Sequence, residues 1–328
     1  MQARYYKLLP NHKIQCELCP QACQIPAEQA GFCNVRQYRD GMLIAANYGL
    51  VSALALDPIE KKPLYHFYPG RPILSVGTVG CNLACEFCQN WRISQEAGST
   101  RPISPAELCD LAVQAHREQG SIGLAYTYSE PTVWFEFLLD TMPLIRDAGL
   151  QNVLVTNAML RAEPWQELLQ FADAVNIDLK GFTPEYYRRF CHGPFQPVLD
   201  NIRAAVGRIH VELTTLLIPG ANDQPEQIEA MARWIAALDP EIPLHLSRYF
   251  PNYRMEQPAT PPETMEMACG IAKQHLQYVY LGNLGGVNHT YCPNCGRLLI
   301  AREGYRTQVL ATAACPNCGR KIPVKLKE

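Results

Sequence analysis

Three cysteines in the stretch TVGCNLACEFCQNW, Cys81, Cys85 and Cys88, stand in a C-x3-C-x2-C spacing suited to metal–thiolate chemistry. Structural zinc and ordinary iron–sulfur centres take four protein ligands. Three thiolates around a 4Fe–4S cluster therefore leave one iron open to a substrate or cofactor. The competing reading is a zinc knuckle that borrows a remote fourth ligand. Of the fourteen cysteines, all but Cys109, Cys191 and Cys269 fall into this group or one of two others.

Near the C-terminus, Cys292 and Cys295, then Cys315 and Cys318, form two copies of CPNCGR, whose glycines permit the turn that aims backbone amides at thiolate sulfur. Four thiolates close a tetrahedral site, for which structural zinc is the expectation and a rubredoxin-like iron the alternative. The segment is too short to fold readily without a metal. Near the N-terminus, Cys16, Cys19, Cys23 and Cys33 supply four more ligands, for zinc or for an auxiliary iron–sulfur cluster. Their spacing differs from the ferredoxin run, so no two-cluster wire is inferred. Cys191, beside His192 in RRFCHGPF, is the leftover thiol worth testing, although burial would make it inert.

These groups need a scaffold, and the cysteine-poor middle of the chain provides one. Short, almost continuously apolar runs recur at 73–78, 122–128, 152–157, 174–179, 210–218, 243–250 and 278–282. Such runs suit parallel strands covered on both faces. Helical patterns lie between them at PAELCDLAVQAHREQG, PTVWFEFLLDTMPLIRDAG and PEQIEAMARWIAAL. The expected fold class is α/β: a partial (β/α)6-type TIM barrel over 49–288, preceded by a small cysteine-rich head over 1–48 and followed by a zinc ribbon over 289–328. In such barrels chemistry collects at the C-terminal ends of the strands, where Cys81, Cys85 and Cys88 would fall.

The three-cysteine spacing is the signature of the radical S-adenosylmethionine (SAM) superfamily. The longer stretch DPIEKKPLYHFYPGRPILSVGTVGCNLACEFCQNWRISQ resembles the pyruvate formate-lyase activating enzyme-like branch, in particular its AmmeMemoRadiSam subgroup. The resemblance implies that SAM binds the open iron through its amino and carboxylate groups and is cleaved reductively to methionine and a 5'-deoxyadenosyl radical. It also implies SAM contacts. Tyr128-Ser129-Glu130-Pro131 stands where activating enzymes have a glycine-rich turn ending in Glu-Pro that receives the SAM ammonium, which Glu130 would still approach; Thr156 and Asn157 match the family Thr-Asn, with Val155 where activating enzymes carry an acid. Asp178 would approach the ribose or ammonium, Lys180 the SAM carboxylate, and the backbone at Phe87 the adenine.

Each of these residues has a plainer reading. Glu130 and Pro131 would suit a helix start, Asp178 and Lys180 a solvated salt pair, and Phe87 the core. The family histidine aligns with His245 or Phe250, of which His245 reads as a core residue. Thr214 stands near the place of the activating-enzyme arginine.

The balance of 29 basic and 31 acidic residues gives a net charge of −2, with no overall field for nucleic acid or an anionic membrane. No apolar run approaches the roughly 20 residues that cross a bilayer, and no signal peptide is read, so a cytoplasmic location without membrane partners is expected. The basic tail RKIPVKLKE reads as solvent-facing, and nucleic-acid binding is not expected. By resemblance the partners are a low-potential donor of flavodoxin or ferredoxin type and a protein or peptide substrate, as in glycyl-radical activation. Radical modification of a small molecule or RNA, or a non-catalytic metal-binding adaptor, are the alternatives.

Overall fold

The computed structural model describes every residue except Asn11, Ala97, Thr312, Ala313, Lys327 and Glu328; the last two belong to the basic tail. All seven apolar runs form strands, and an eighth strand precedes them. In chain order these are β1 (Ala53–Pro58), β2 (Pro72–Gly77), β3 (Gly123–Tyr126), β4 (Gln151–Thr156), β5 (Ala174–Asp178), β6 (His210–Leu217), β7 (Leu244–Arg248) and β8 (Val279–Gly282). They lie side by side in that order. From β2 to β8 every pairing is parallel, whereas β1 runs antiparallel to β2, with Ala53 opposite Gly77 and Pro58 opposite Pro72. The sequence reading missed β1 because its ALALDP run is mostly half-exposed at the sheet edge and lacks the continuous burial of its neighbours.

The helices between strands follow the expected local chemistry. Ser104 caps α1 (Pro105–Gln119) in a reciprocal bond with Glu107, and Gly120 ends it in the left-handed region at φ 70°. The PTVWFEF pattern splits into a 3-10 turn, Pro131–Trp134, and a helix α2, Phe135–Asp147. Among the described residues no helix is long and apolar enough to cross a membrane.

The head consists of a three-stranded antiparallel sheet (Tyr6–Leu9, Lys13–Cys16, Gln24–Pro26) and a hairpin of Arg36–Arg39 with Met42–Ala45. It is tied to the barrel by a buried ion pair. The Arg36 guanidinium meets Glu136 of α2 at 3.0 Å, with both side chains almost inaccessible, and the same carboxylate accepts the Arg4 amide at 2.7 Å. Removing one partner of a buried pair strands the other charge, at a cost of about 3–5 kcal/mol. Glu136→Ala is therefore expected to lower unfolding free energy by about that amount in urea titrations, whereas the exposed pair Arg203–Asp200 should tolerate Asp200→Ala with almost no change.

The ribbon, an antiparallel sheet of Thr290–Tyr291, Leu298–Glu303 and Arg306–Val309, packs on the segment between β1 and β2, where Thr307 donates to Glu60. Its buried Arg302 donates to the Tyr65 carbonyl at 2.5 Å and to Thr290 Oγ1 at 2.7 Å. Beneath lies Glu212 of β6, fully buried. It accepts the amides of Tyr65 and His66 and meets His210 at 2.9 Å and His245 at 2.7 Å. Burial opposes its charge, but the bonds from His210 and His245 outweigh that and hold Glu212 well below the usual carboxyl range. His245 thus belongs to a structural network.

Candidate active site

Parallel strands end together at one edge of the sheet, and their loops there surround a cavity of about 540 Å³. Cys81, Cys85, Phe87 and Cys88, on the loop after β2, line it; so do Ser129 and Glu130 after β3, Thr156 and Asn157 at the end of β4, and Asp178 and Lys180 at the end of β5. The candidate residues are spread over about 100 positions of sequence, and the common edge gathers them.

The cysteine loop is held from both sides. The amides of Ala84 and Glu86 donate to the carbonyls of Cys191 and Phe190, which ties it to the π-helical turn Tyr187–Cys191. Asn157 Nδ2 lies 3.7 Å from Cys81 Sγ and 2.9 Å from Asn82 Oδ1, and Ser94 Oγ lies 3.3 Å from Cys88 Sγ. Gly80, at φ +89°, brings the loop against the head: a Cβ there would stand 2.6 Å from the Cys33 carbonyl.

Cys191, left over in the sequence, is fully buried, and its thiol and the Cys85 sulfur are within hydrogen-bonding reach of each other. That bond pulls the Cys85 thiol below its usual range, while burial pushes Cys191 well above. Hydrogen bonds to ligating sulfur raise cluster potentials. Cys191→Ala is accordingly expected to move the midpoint of a cluster on Cys85 to more negative values, by tens of millivolts in order of magnitude, in an EPR-monitored redox titration. An unchanged midpoint would mean that this thiol only packs.

Glu130 is the electrostatic centre of the cavity wall beside Cys81. Its Oε1 accepts from Thr132 N (3.0 Å), Thr132 Oγ1 (2.7 Å) and Thr156 Oγ1 (2.6 Å), and its Oε2 from Asn157 N (2.8 Å). All four donors are neutral, and burial raises the carboxyl above its ordinary value despite them. Glu130 caps the Pro131–Trp134 turn as well, so the plainer reading and the cavity reading coexist. Across the cavity, Lys180 Nζ lies 3.1 Å from Asp178 Oδ2. Burial opposes the Lys180 charge, but Asp178 and the nearby thiols outweigh it and keep the ammonium firmly protonated. Phe87, itself buried, lies under Lys180, with its ring centroid 6.0 Å from Nζ.

Several lining residues escaped the sequence reading. Asp57 and Lys62, within the DPIEKKPL run, are buried and paired at 2.9 Å, and Tyr128 donates to the same carboxylate at 2.8 Å. Burial opposes the Asp57 charge, yet Lys62 and Tyr128 outweigh it and hold the carboxyl at about 2. Tyr128 occupies a position where the resembling family has glycine, and it sits at φ +70°, a left-handed conformation that costs a non-glycine residue about 1–2 kcal/mol. The Asp57 bond and the Lys62 ammonium, 4.6 Å from its ring centroid, offset that strain. No local spacing signals this trio, because residues 57 and 128 meet only through the tertiary fold. Val155, Thr214 and Ser247 complete the wall, and Thr214 Oγ1 donates to Asn176 Oδ1.

The thiol groups differ in spacing. Cys292, Cys295, Cys315 and Cys318 have sulfurs all within 4.8 Å of one another, with two pairs at 3.6 Å. That is close to the roughly 3.8 Å expected around a single tetrahedral ion with 2.3 Å metal–sulfur bonds. Among the described residues no other group of three or more metal-ligating side chains closes to this spacing. Cys81, Cys85 and Cys88 line the cavity together and do not all close to that spacing.

The sequence profile of the radical SAM superfamily matches residues 75–235, which include the three thiols and the cavity wall through β6. Uncharacterized protein MJ0808 of Methanocaldococcus jannaschii is 40% identical over 319 residues, covering 94% of this chain and 93% of that protein. The (2S)-3-sulfopropanediol dehydratase activating enzyme of Klebsiella oxytoca is 24% identical over 123 residues, covering 37% of this chain and 39% of the enzyme. Among solved structures, a radical SAM methyltransferase from Sphaerobacter thermophilus superposes with a TM-score of 0.52 at 17% identity, over 71% of each chain, a likeness of fold. The family implies a 4Fe–4S cluster and SAM, and three separated thiols beside a buried carboxylate that lacks a cation fit that pair. On the profile match and the near full-length relative, carried by this barrel and its three-thiol loop, the chain belongs to the radical SAM superfamily and is an enzyme of it.

Proposed function

We propose that this enzyme cleaves SAM reductively at Cys81, Cys85 and Cys88 and uses the resulting radical to take hydrogen from a protein or peptide substrate, as an activating enzyme does. Cys81, Cys85 and Cys88 would hold a 4Fe–4S cluster, which when reduced by an external one-electron donor would supply the electron for reductive cleavage of the SAM sulfonium C–S bond to methionine and a 5'-deoxyadenosyl radical. The observation that carries the reading is Glu130, a buried carboxylate bonded only by neutral donors on the cavity wall beside Cys81. A buried carboxylate without a countercharge suits a cationic ligand.

In this reading Glu130 receives the SAM ammonium, with Ser129 and Thr156 shaping the turn around it. Asn157 orients the Cys81 sulfur. Lys180, held by Asp178, meets the SAM carboxylate, and the backbone at Phe87 meets the adenine. The walls exclude water from the radical, which protects it from quenching. The electron comes from a low-potential flavodoxin- or ferredoxin-type carrier, and the ribbon thiols hold structural zinc. Preference for a peptide substrate rests on the activating-enzyme relative.

Anaerobic protein reconstituted with iron and sulfide, then given dithionite and SAM, should release 5'-deoxyadenosine. With deuterated candidate substrates, label should enter that product from a peptide, and a glycyl-radical EPR signal should develop on a partner protein. Label arriving from a small molecule or RNA instead would overturn the substrate assignment, and a fully loaded cluster that yields no 5'-deoxyadenosine would overturn the activity.

A further inference from the structure

We propose that the head carries a second iron–sulfur cluster, closed on the thiolates of Cys16, Cys19, Cys23 and Cys33 and seated against the loop that bears Cys81. All four residues line one cavity, and the Cys19 thiol lies within electrostatic reach of the other three. They nevertheless stand farther apart than the ribbon thiols, which close within 4.8 Å as a single ion requires. Two cysteine quartets in one chain thus take two spacings. A cluster interposes several iron and sulfide atoms between its terminal thiolates and so needs sulfurs that stand farther apart than those around a single ion.

The surroundings suit an anionic cluster. Backbone amides point at the sulfurs: Phe32 N lies 3.3 Å from Cys23 Sγ, Gln21 N–H bonds Cys19, and those of Val35 and Arg36 bond Cys33. Arg36 lines the same cavity with its charge buried, and its Nε–H, wholly inaccessible, has no hydrogen-bond partner. A buried donor of this kind costs about 1–3 kcal/mol unless an acceptor meets it, and a thiolate or sulfide in the cavity would be one.

The cavity also abuts the active-site loop. Asn82, next to Cys81, lines it, and Gln21 Nε2 donates to the Asn82 carbonyl at 3.0 Å. Together with the close approach of Gly80 to Cys33, this places the two cysteine sets on adjoining segments. A cluster with four protein ligands has no iron open to substrate. Its chemistry is uptake of one electron from a low-potential carrier and release of that electron, with no bond made or broken.

The test uses the full chain with Cys81→Ala, Cys85→Ala and Cys88→Ala together, which leaves the head untouched and makes the outcome independent of the SAM-cleavage reading. After anaerobic reconstitution this variant should retain about two to four irons, with matching sulfide, as expected of a 2Fe–2S or 4Fe–4S centre on four cysteines. Reduction should produce an EPR signal that added SAM leaves unchanged. Adding Cys16→Ser and Cys33→Ser should remove both iron and signal while the ribbon keeps its metal. A triple variant that holds no iron or sulfide, whether it carries about two zinc ions per chain or none in the head, would overturn the proposal. If SAM cleavage failed in the intact chain while the SAM-insensitive signal persisted, the function would fall and the head cluster would stand.

Discussion

Cys85→Ala is expected to reduce 5'-deoxyadenosine formation by roughly a thousandfold or more, to the level of the uncatalysed background, while leaving the fold and the ribbon metal in place. Cys85 is the middle cysteine of the three-thiol loop, in the proposed function a ligand, and is the one whose sulfur interacts with Cys191. Two thiolates cannot hold the cluster in register, and no other thiol replaces Cys85 without moving backbone. Cys191 is near enough to be the exception, but the amides of Ala84 and Glu86 fix its turn against the loop. Product assays on the reconstituted variant, with circular dichroism and zinc content as controls, decide the matter. Retention of more than a tenth of the wild-type product would sink the assignment of Cys85 as a ligand.

The second large effect belongs to Glu130. Glu130→Ala removes the acceptor of four hydrogen bonds inside the protein, from Thr132 N, Thr132 Oγ1, Thr156 Oγ1 and Asn157 N. Buried donors left unpaired cost about 1–3 kcal/mol each, and with partial relaxation the loss of stability should be about 3 kcal/mol or more. Glu130→Gln keeps the shape and most acceptors and should cost less, about 1–3 kcal/mol. It nevertheless removes the negative charge, so SAM affinity should fall roughly tenfold or more. This split, modest in unfolding and large in SAM titration, is what a purely structural capping role would not produce.

A pH signature accompanies it. Burial raises the folded carboxyl above the usual 4.5, so the folded chain binds the Glu130 proton more tightly than the unfolded chain. Between those two values the native state holds more protons, and stability falls as pH rises. Urea titrations across mildly acidic pH on chelator-treated protein should show that slope in the wild type and a flatter one in Glu130→Gln.

Much of this protein is legible in its sequence because local rules act on contiguous residues. The seven apolar runs become parallel strands since only strands covered on both faces are so uniformly apolar. Ser104 with Glu107, and Gly120 after them, mark one helix from start to stop. The Cys81, Cys85, Cys88 spacing and the paired CPNCGR knuckles are complete within short segments, and so are their chemical readings.

Tertiary structure decided what depends on residues far apart in the chain. That Asp57 reaches Tyr128, that Cys191 meets Cys85, and that the edge strand β1 joins the sheet at all follow from strand order and loop docking, which leave no periodic trace. The same holds for the head. Its four cysteines read equally as a zinc or a cluster site in one dimension, because spacing along the chain limits which ligands converge but not how far apart their sulfurs stop. Only the tertiary packing of the head fixes that distance, and sulfur separation is the quantity on which the choice between a single ion and a cluster physically turns.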